Sequence, residues 1–194
     1  MRIVGGKWRG RPLEAPDGRD VTRPTTDRTR EQIASMILSA FDLDLSEVTV
    51  LDGFAGSGAI GFELLSRGAK ACTFVDADRK ALARVRRNAA TLGAGPDVCA
   101  ILSGDVFKVA RRATLPNAPF SLVVLDPPYA LEASAVSGLV LDLLREGQLE
   151  NGCLVLYERS AGGEGLNLPS SRMLKSKTHG GTAVDLLSIG GPDE

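Results

Sequence analysis

The chain has 194 residues with 43% hydrophobic and 24% charged side chains and a formal net charge of −1, which suits one domain with an appendage and excludes a disordered chain. No apolar run approaches the roughly 20 residues that cross a bilayer, and Met1 to Trp8 holds no apolar leader core. The sequence reads as a soluble cytoplasmic protein with no membrane association.

Residues 1–13 read as a short hairpin or ribbon turning at Gly5-Gly6 and Gly10, and 14–24 as a Pro/Gly/Asp-rich connector. Residues 1–30 carry eight basic and four acidic side chains, a net +4, against −5 over the remainder. A basic arm on an acidic body is expected where the arm meets a polyanion, although a solvated basic surface has the same composition. Arg2, Lys7, Arg9, Arg11, Arg23 and Arg28 are the candidate phosphate contacts. Trp8, grouped with them, reads as packing beneath the arm rather than stacking on a base. The expected division is a ribbon and connector over 1–24 and a main domain over 25–194.

A helix should start near Thr26 or Asp27, with Ile33, Met36, Ile37, Ala40 and Phe41 on one face. A strand–helix rhythm follows. Val48–Leu51 is a strand, then come a glycine-rich turn and a helix over Ser57–Arg67. Ala71–Val75 is the next strand, and the helix after it starts near Asp78 and stops at Gly93. Val98–Leu102 and Phe120–Leu125 are further strands, the latter an apolar run suited to burial on both faces. A helix marked by Leu139, Val140, Leu143 and Leu144 ends at Gly147. Asn151-Gly152 turns into a strand over Cys153–Tyr157. Arg172–Ser176 and Thr182–Ile189 should form a closing hairpin across His179-Gly180-Gly181. The expected fold is α/β: a Rossmann-like, doubly wound, mostly parallel seven-stranded sheet with an antiparallel edge hairpin. Cys72, Cys99 and Cys153 are far apart with apolar flanks, so they read as buried strand residues rather than a disulfide or zinc set.

Five acids, Asp52, Asp76, Asp105, Asp126 and Glu158, fall just after the five parallel strands. Those strand ends form one rim, where ligands of such sheets bind. Carboxylates gathered there repel one another unless a ligand brings donors or positive charge. Gly56 to Gly61 matches G-x-G-x-x-G, and Asp76 lies 20 residues after Gly56, the dinucleotide spacing. Asp52 at the mouth of that turn would oppose a pyrophosphate and suits a cationic amino-acid group instead. Asp126-Pro127-Pro128-Tyr129 combines a stiffened loop, acceptors and a stacking face, a set suited to a planar base with an exocyclic amine.

With these motifs the chain resembles the class I S-adenosylmethionine-dependent methyltransferases, and more closely the bacterial 16S rRNA guanine-N2 methyltransferases of the RsmD type. The similarity extends to Arg2–Arg11, Arg23–Arg28, Arg30-Glu31 and Leu65–Ala69. Gly53, His179 and the stretch 162–171 depart from the family pattern, and the sequence assigns His179 no catalytic role. The resemblance implies that Asp52 and the loop Phe54, Ala55, Gly56, Ser57, Gly58 hold the methionine moiety. It implies that Asp76, with Ala77 beside it, takes the ribose hydroxyls, that Asp105 takes the adenine amine with Val106 beside the ring, and that Thr26 closes over the cofactor. Asp126 and Pro127 orient the target amine, Pro128 stiffens the loop and Tyr129 stacks on the base. No metal is implied. The implied partner is 16S rRNA or a small-subunit assembly particle, met by a monomer. A DNA amino-methyltransferase would use the same residues. A NAD-dependent oxidoreductase would share the glycine turn and Asp76 but leave Asp52, Asp126–Tyr129 and the basic arm unexplained. A phosphatase built on Asp76-Ala77-Asp78 and a non-catalytic RNA-binding module account for still less.

Overall fold

A computed structural model of the chain describes residues 1–16 and 27–190. Arg23 and Thr26, and with Thr26 the segment expected to close over a cofactor, lie outside the described residues. The elements in chain order are α1 (Asp27–Ala40), β1 (Thr49–Asp52), α2 (Ala59–Ser66), β2 (Ala71–Asp76), α3 (Arg79–Leu92), β3 (Cys99–Ser103), α4 (Val106–Ala110), β4 (Phe120–Leu125), α5 (Ala133–Arg145), β5 (Leu149–Ser160), β6 (Ser171–His179) and β7 (Thr182–Ile189). They build one seven-stranded sheet of order β3-β2-β1-β4-β5-β7-β6. β1 to β5 pair in parallel, and β7 runs antiparallel to both β5 and β6. This is the expected fold, with the chain reversing its direction of winding between β1 and β4.

Period-2 alternation sends successive side chains of each strand to opposite faces. Val50, Cys72, Phe74, Leu122, Val124, Leu154 and Leu156 meet α1, α2, α3 and the N-terminal ribbon on one face. Leu51, Val75, Val123, Leu125, Val155 and Tyr157 meet α4 and α5 on the other. Gly61 is the third glycine of the fingerprint for a packing reason. A Cβ there would strike the Phe74 ring and approach the Cys72 Sγ to 2.8 Å. Its absence lets α2 lie against β2. The three cysteines are free and buried on the strands or their edges.

Local differences from the sequence expectation have local causes. α2 starts at Ala59 rather than Ser57 because Gly58 occupies the left-handed region, φ 76°, and belongs to the turn. Asn151-Gly152 is not a turn before β5. It sits inside a longer strand where the register with β4 slips, Phe120 facing Leu149 and Leu122 facing Leu154. α4 was not expected at all, since five residues carry no helical period. Leu144, expected on the apolar face of α5, is 44% exposed. The stretch 162–171, for which the sequence suggests no role, buries Leu168 against the α5 layer and donates from Asn167 N to Ser137 Oγ.

The N-terminal segment is a ribbon, bridged antiparallel at Arg2 and Pro12 and turned by a 3₁₀ segment at Gly6–Trp8. It is docked on the α/β body. Ile3 and Leu13 are buried in the same apolar cluster as α1 and α2. The Glu63 carboxylate, 1% exposed, accepts from Val4 N and Gly5 N at 2.8 Å each and from Arg67 Nε at 2.9 Å. Ser66 Oγ accepts from Trp8 N, and Asn88 accepts from Glu14 N while donating to Ser57 O in the glycine turn. Glu63→Ala leaves two backbone N–H groups and a nearly buried guanidinium without their acceptor. The expected loss is about 3–5 kcal/mol in the urea midpoint analysis, with Glu63→Gln losing less because one acceptor survives. A loss below about 1 kcal/mol in Glu63→Ala would contradict the role given to this carboxylate.

Candidate active site

Strand register decides where the acids stand. Asp52 pairs with Phe74 on β2 and with Val124 on β4, and Leu125 pairs with Tyr157 on β5. Asp76 lies two residues beyond Phe74, and Asp126 two beyond Val124. Asp126 and Glu158 each follow the matched pair Leu125–Tyr157 by one residue. All four therefore project from the same face of neighbouring strands, whose spacing is about 4.8 Å. They line one cavity of ≈ 290 Å³ at the winding reversal between β1 and β4, together with the turn Phe54–Ser57 and the loop Asp126–Tyr129.

Each carboxylate has its own surroundings. Asp52 is buried, accepts among the described residues only a long bond from Gly61 N at 3.3 Å, and is pushed up to about 7 by desolvation and by the neighbouring Asp126 and Asp76. Asp76 accepts from Gly56 N and from Asp78 N, both at 2.8 Å, and so fixes the glycine turn to the end of β2. Burial also raises Asp126, and it raises Glu158 further with the Asp126 charge adding to it. The Glu158 Oε2 is buried with no hydrogen-bond partner among the described residues. Asp52, Asp126 and Glu158, three of the four carboxylates in the wall, are thus held above their ordinary range, which favours a ligand that brings positive charge or N–H donors.

Asp105 stands one strand further out, as the N-cap of α4, accepting from Phe107 N at 3.0 Å. Neither it nor the buried Val106 lines the cavity, although Phe107 meets the cavity residue Phe54 edge-on at 6.4 Å between ring centres. Ala77 is exposed at the same rim. Pro127 is buried, and Tyr129 is 48% exposed with its hydroxyl 2.8 Å from Thr182 Oγ1, which fixes the ring as a platform. Among the described residues no group of three potential ligands could hold a metal ion.

Arg30 and Met1 line the cavity, although the sequence reading gave neither a site role. Arg30, 2% exposed, lies in the wall and donates to Arg2 O at 2.8 Å and to Asp27. Its charge hid it, because a helix-face pattern assigns arginine to solvent. Met1 closes the same wall from the ribbon. Glu158 was legible as a rim acid, but no role followed from its position in the sequence.

The basic side chains of the ribbon divide. Arg11 donates to Thr91 O and Leu92 O at the end of α3, and Arg2 meets Asp27 at 3.4 Å. Lys7 and Arg9 stay on the surface and Arg28 is exposed on α1, with no ion pair formed by these three among the described residues. Trp8 packs partly buried against the core with Lys7 Nζ 4.6 Å from its ring centre, the packing role expected of it.

S-adenosylmethionine suits this donor set. It brings two cationic centres, a sulfonium and an α-ammonium, to a wall of desolvated carboxylates, and ribose hydroxyls to acceptors beside a glycine turn.

Three comparisons bear on this site. Over 129 residues the chain is 39% identical to "Ribosomal RNA small subunit methyltransferase D" of Escherichia coli strain K12, a match to 66% of this chain and 60% of that protein. The match thus spans less than two thirds of that relative's length. The Haemophilus influenzae protein of the same name is 30% identical over 182 residues, 93% of this chain and 89% of that one. Among solved structures, "Putative methyltransferase yhhF from Escherichia coli" superposes with a TM-score of 0.81 at 29% identity, covering 98% of each chain. A family model described as Conserved hypothetical protein 95 matches residues 1–188, and the chain belongs to that family.

Proposed function

We propose that the chain is an S-adenosylmethionine-dependent methyltransferase that modifies the exocyclic N2 amine of a guanine in 16S ribosomal RNA. It acts as a cytoplasmic monomer on the RNA or on a small-subunit assembly particle. The observation that carries this reading is the wall of four same-face carboxylates joining the Gly56–Gly61 turn to Asp126-Pro127-Pro128-Tyr129 at the winding reversal. The names of the E. coli and H. influenzae relatives support ribosomal RNA as the substrate. No helix among the described residues is long and apolar enough to cross a membrane.

When bound, S-adenosylmethionine supplies a methyl group made electrophilic by the sulfonium. Asp52 faces the cationic amino-acid portion, the turn Phe54–Gly58 lets backbone approach it, and Asp76 accepts from the ribose. Asp105 and Val106, one strand beyond the cavity wall, are the residues that would meet the adenine end. The guanine amine is a weak nucleophile, so alignment is the chief task. Asp126 and the Pro127 carbonyl accept from the amine and turn its lone pair toward the methyl. The same acceptors stabilise positive charge as it grows on nitrogen. The proton then passes to Asp126 or to water. The target base must leave its stack, and the Tyr129 ring offsets part of that cost.

The direct test uses methyl-labelled S-adenosylmethionine with 30S particles, naked 16S rRNA and duplex DNA, the RNA taken from cells lacking the host enzyme. Mass spectrometry of the labelled nucleoside should give N2-methylguanosine from ribosomal RNA. Label in adenine or cytosine of DNA would overturn the substrate.

The surface cations Lys7 and Arg9 belong to the RNA contact. Because the ribbon is part of the core, its deletion would unfold more than it tests, whereas Lys7→Ala/Arg9→Ala leaves Ile3, Leu13 and the Glu63 bonds in place. Each lost phosphate contact lowers the slope of log K against log salt by about 0.7–0.9, so the double variant should lose about 1.5. An unchanged slope would remove the ribbon from the RNA interface.

A further inference from the structure

Glu158 belongs to two cavities. A second cavity, ≈ 420 Å³, adjoins the first across Pro127, Pro128, Tyr129 and Glu158, and Glu158 is the carboxylate common to both walls. Only 6% of the residue is exposed, and its Oε2 has no hydrogen-bond partner among the described residues. Buried acceptors are satisfied in folded proteins with few exceptions, and an exception needs a cause. Arg159, the next residue in the chain, does not supply one, and Arg30, in the wall of the first cavity, donates to Arg2 O and Asp27. Arg159 alternates to the other face of β5, where its guanidinium donates to Asp185 at 2.7 Å and to Ser160 O and Gly163 O. The orphaned oxygen therefore awaits a donor from the cavity.

Strand register says which donor. Asp126 and Glu158 follow the matched residues Leu125 and Tyr157, so their carboxylates stand side by side on adjacent strands. On the proposed reading, Asp126 accepts from the amine to be methylated. The acceptor beside it then meets the ring nitrogen next to that amine. In guanine the amine lies between N1, which carries a hydrogen, and N3, which carries a lone pair, so a second carboxylate fits only on the N1 side. In adenine and cytosine the ring nitrogen beside the amine carries a lone pair, which a carboxylate would repel. Two adjacent carboxylates thus fit the donor–donor edge of guanine and oppose the donor–acceptor edge of the other amino bases. The cationic cofactor beside them favours the ionised form of both.

We infer that Glu158 accepts the N1–H of the target guanine and thereby makes guanine the base this site methylates. The inference rests on the reading of the chain as a guanine-N2 methyltransferase. It names a residue for base selection, whereas Asp126 serves the transferred methyl.

The test uses 30S particles carrying ligated 16S rRNA in which the mapped target is guanine or 2-aminopurine. The analogue keeps the 2-amine, replaces N1–H by a lone pair and lacks O6, a second difference that is the same for wild type and variant. Wild type should methylate guanine about 10²-fold more efficiently in kcat/KM, the discrimination expected when a built acceptor loses its donor. Glu158→Gln can turn its amide to donate to the analogue's N1. Its preference for guanine should shrink at least tenfold while S-adenosylmethionine still binds. Equal losses on both bases in Glu158→Gln would make the residue structural and overturn the inference, and equal rates on both bases in wild type would do so without any variant. Wild-type label on another base or atom would instead overturn the underlying reading, and the inference with it.

Discussion

Asp126→Ala is expected to lower single-turnover methyl transfer about 10³-fold or more while leaving S-adenosylmethionine affinity within a few-fold of wild type. The separation follows from position. Asp126 directly follows β4 and opens the proline-stiffened loop, in the cavity wall that also holds Tyr129 and Glu158. The amino-acid and ribose portions of the cofactor are assigned to Asp52 and Asp76, on the other side of the winding reversal. A half-buried carboxylate facing the reacting nitrogen contributes in two ways, together worth about 10²–10⁴-fold in rate: it orients the lone pair, and it compensates the charge that appears during transfer. Asp126→Asn keeps one acceptor oxygen and loses the charge, so it should fall between wild type and Asp126→Ala. Titration calorimetry gives the cofactor affinity and rapid quench gives the rate. Near-wild-type transfer by Asp126→Ala would remove this residue from the chemistry.

Asp52→Asn should stabilise the unliganded protein and weaken cofactor binding in the same variant. The folded-state carboxyl is raised from 3.8 to about 7, by desolvation first and by Asp126 and Asp76 next. A carboxyl raised on folding holds its proton more tightly in the folded state. Its contribution is therefore favourable at low pH and is lost as pH climbs from about 4 through about 7. At most about 4 kcal/mol is at stake for a shift of this size. The neutral amide avoids that loss, so at pH 8 the variant should melt several degrees higher than wild type, with the difference closing toward pH 4. Removing the charge opposite a cationic ligand costs about 2–5 kcal/mol, about 30-fold or more in affinity. Wild-type affinity should itself fall as pH drops below about 7, where Asp52 takes up its proton, and that part of the pH dependence should be absent from the variant. Equal melting temperatures at pH 8 with unchanged cofactor affinity would contradict the assignment. A group that costs stability in the free protein and repays it on binding is common at functional sites.

Much of this site could be read before the fold was seen, because its parts are local. The glycine turn, the Asp76 spacing and Asp126-Pro127-Pro128-Tyr129 are contiguous patterns in which strand, turn and helix signals agree. β4 and β7 fall on the expected residues because continuous apolar runs bounded by turn signals leave little choice. What escaped was set by pairing between distant segments. The companionship of Asp126 and Glu158 depends on the β4–β5 register, which no stretch of sequence encodes alone, and on the irregularity at Asn151-Gly152 that shifts it. Arg30 reads as a surface residue until Asp27 and the Arg2 carbonyl are folded against it. The basic ribbon reads as a projecting arm because its charges are conspicuous, whereas its anchors, Ile3, Leu13 and the buried Glu63 on α2, are spread over sixty residues of chain. Asp105 matches the expected pattern by position, but its nearest duty is to cap a helix too short for any periodicity to announce.

The account rests on one cavity serving both the cofactor and the base amine, and a crystal structure with S-adenosylhomocysteine tests that most directly. The expected density fills the cavity between the Gly56–Gly61 turn and Asp126, with the α-ammonium against Asp52, the ribose hydroxyls on Asp76 and the sulfur facing the Asp126–Glu158 pair. Density for the product at any other site, or in this cavity with its sulfur turned away from Asp126, would contradict the account.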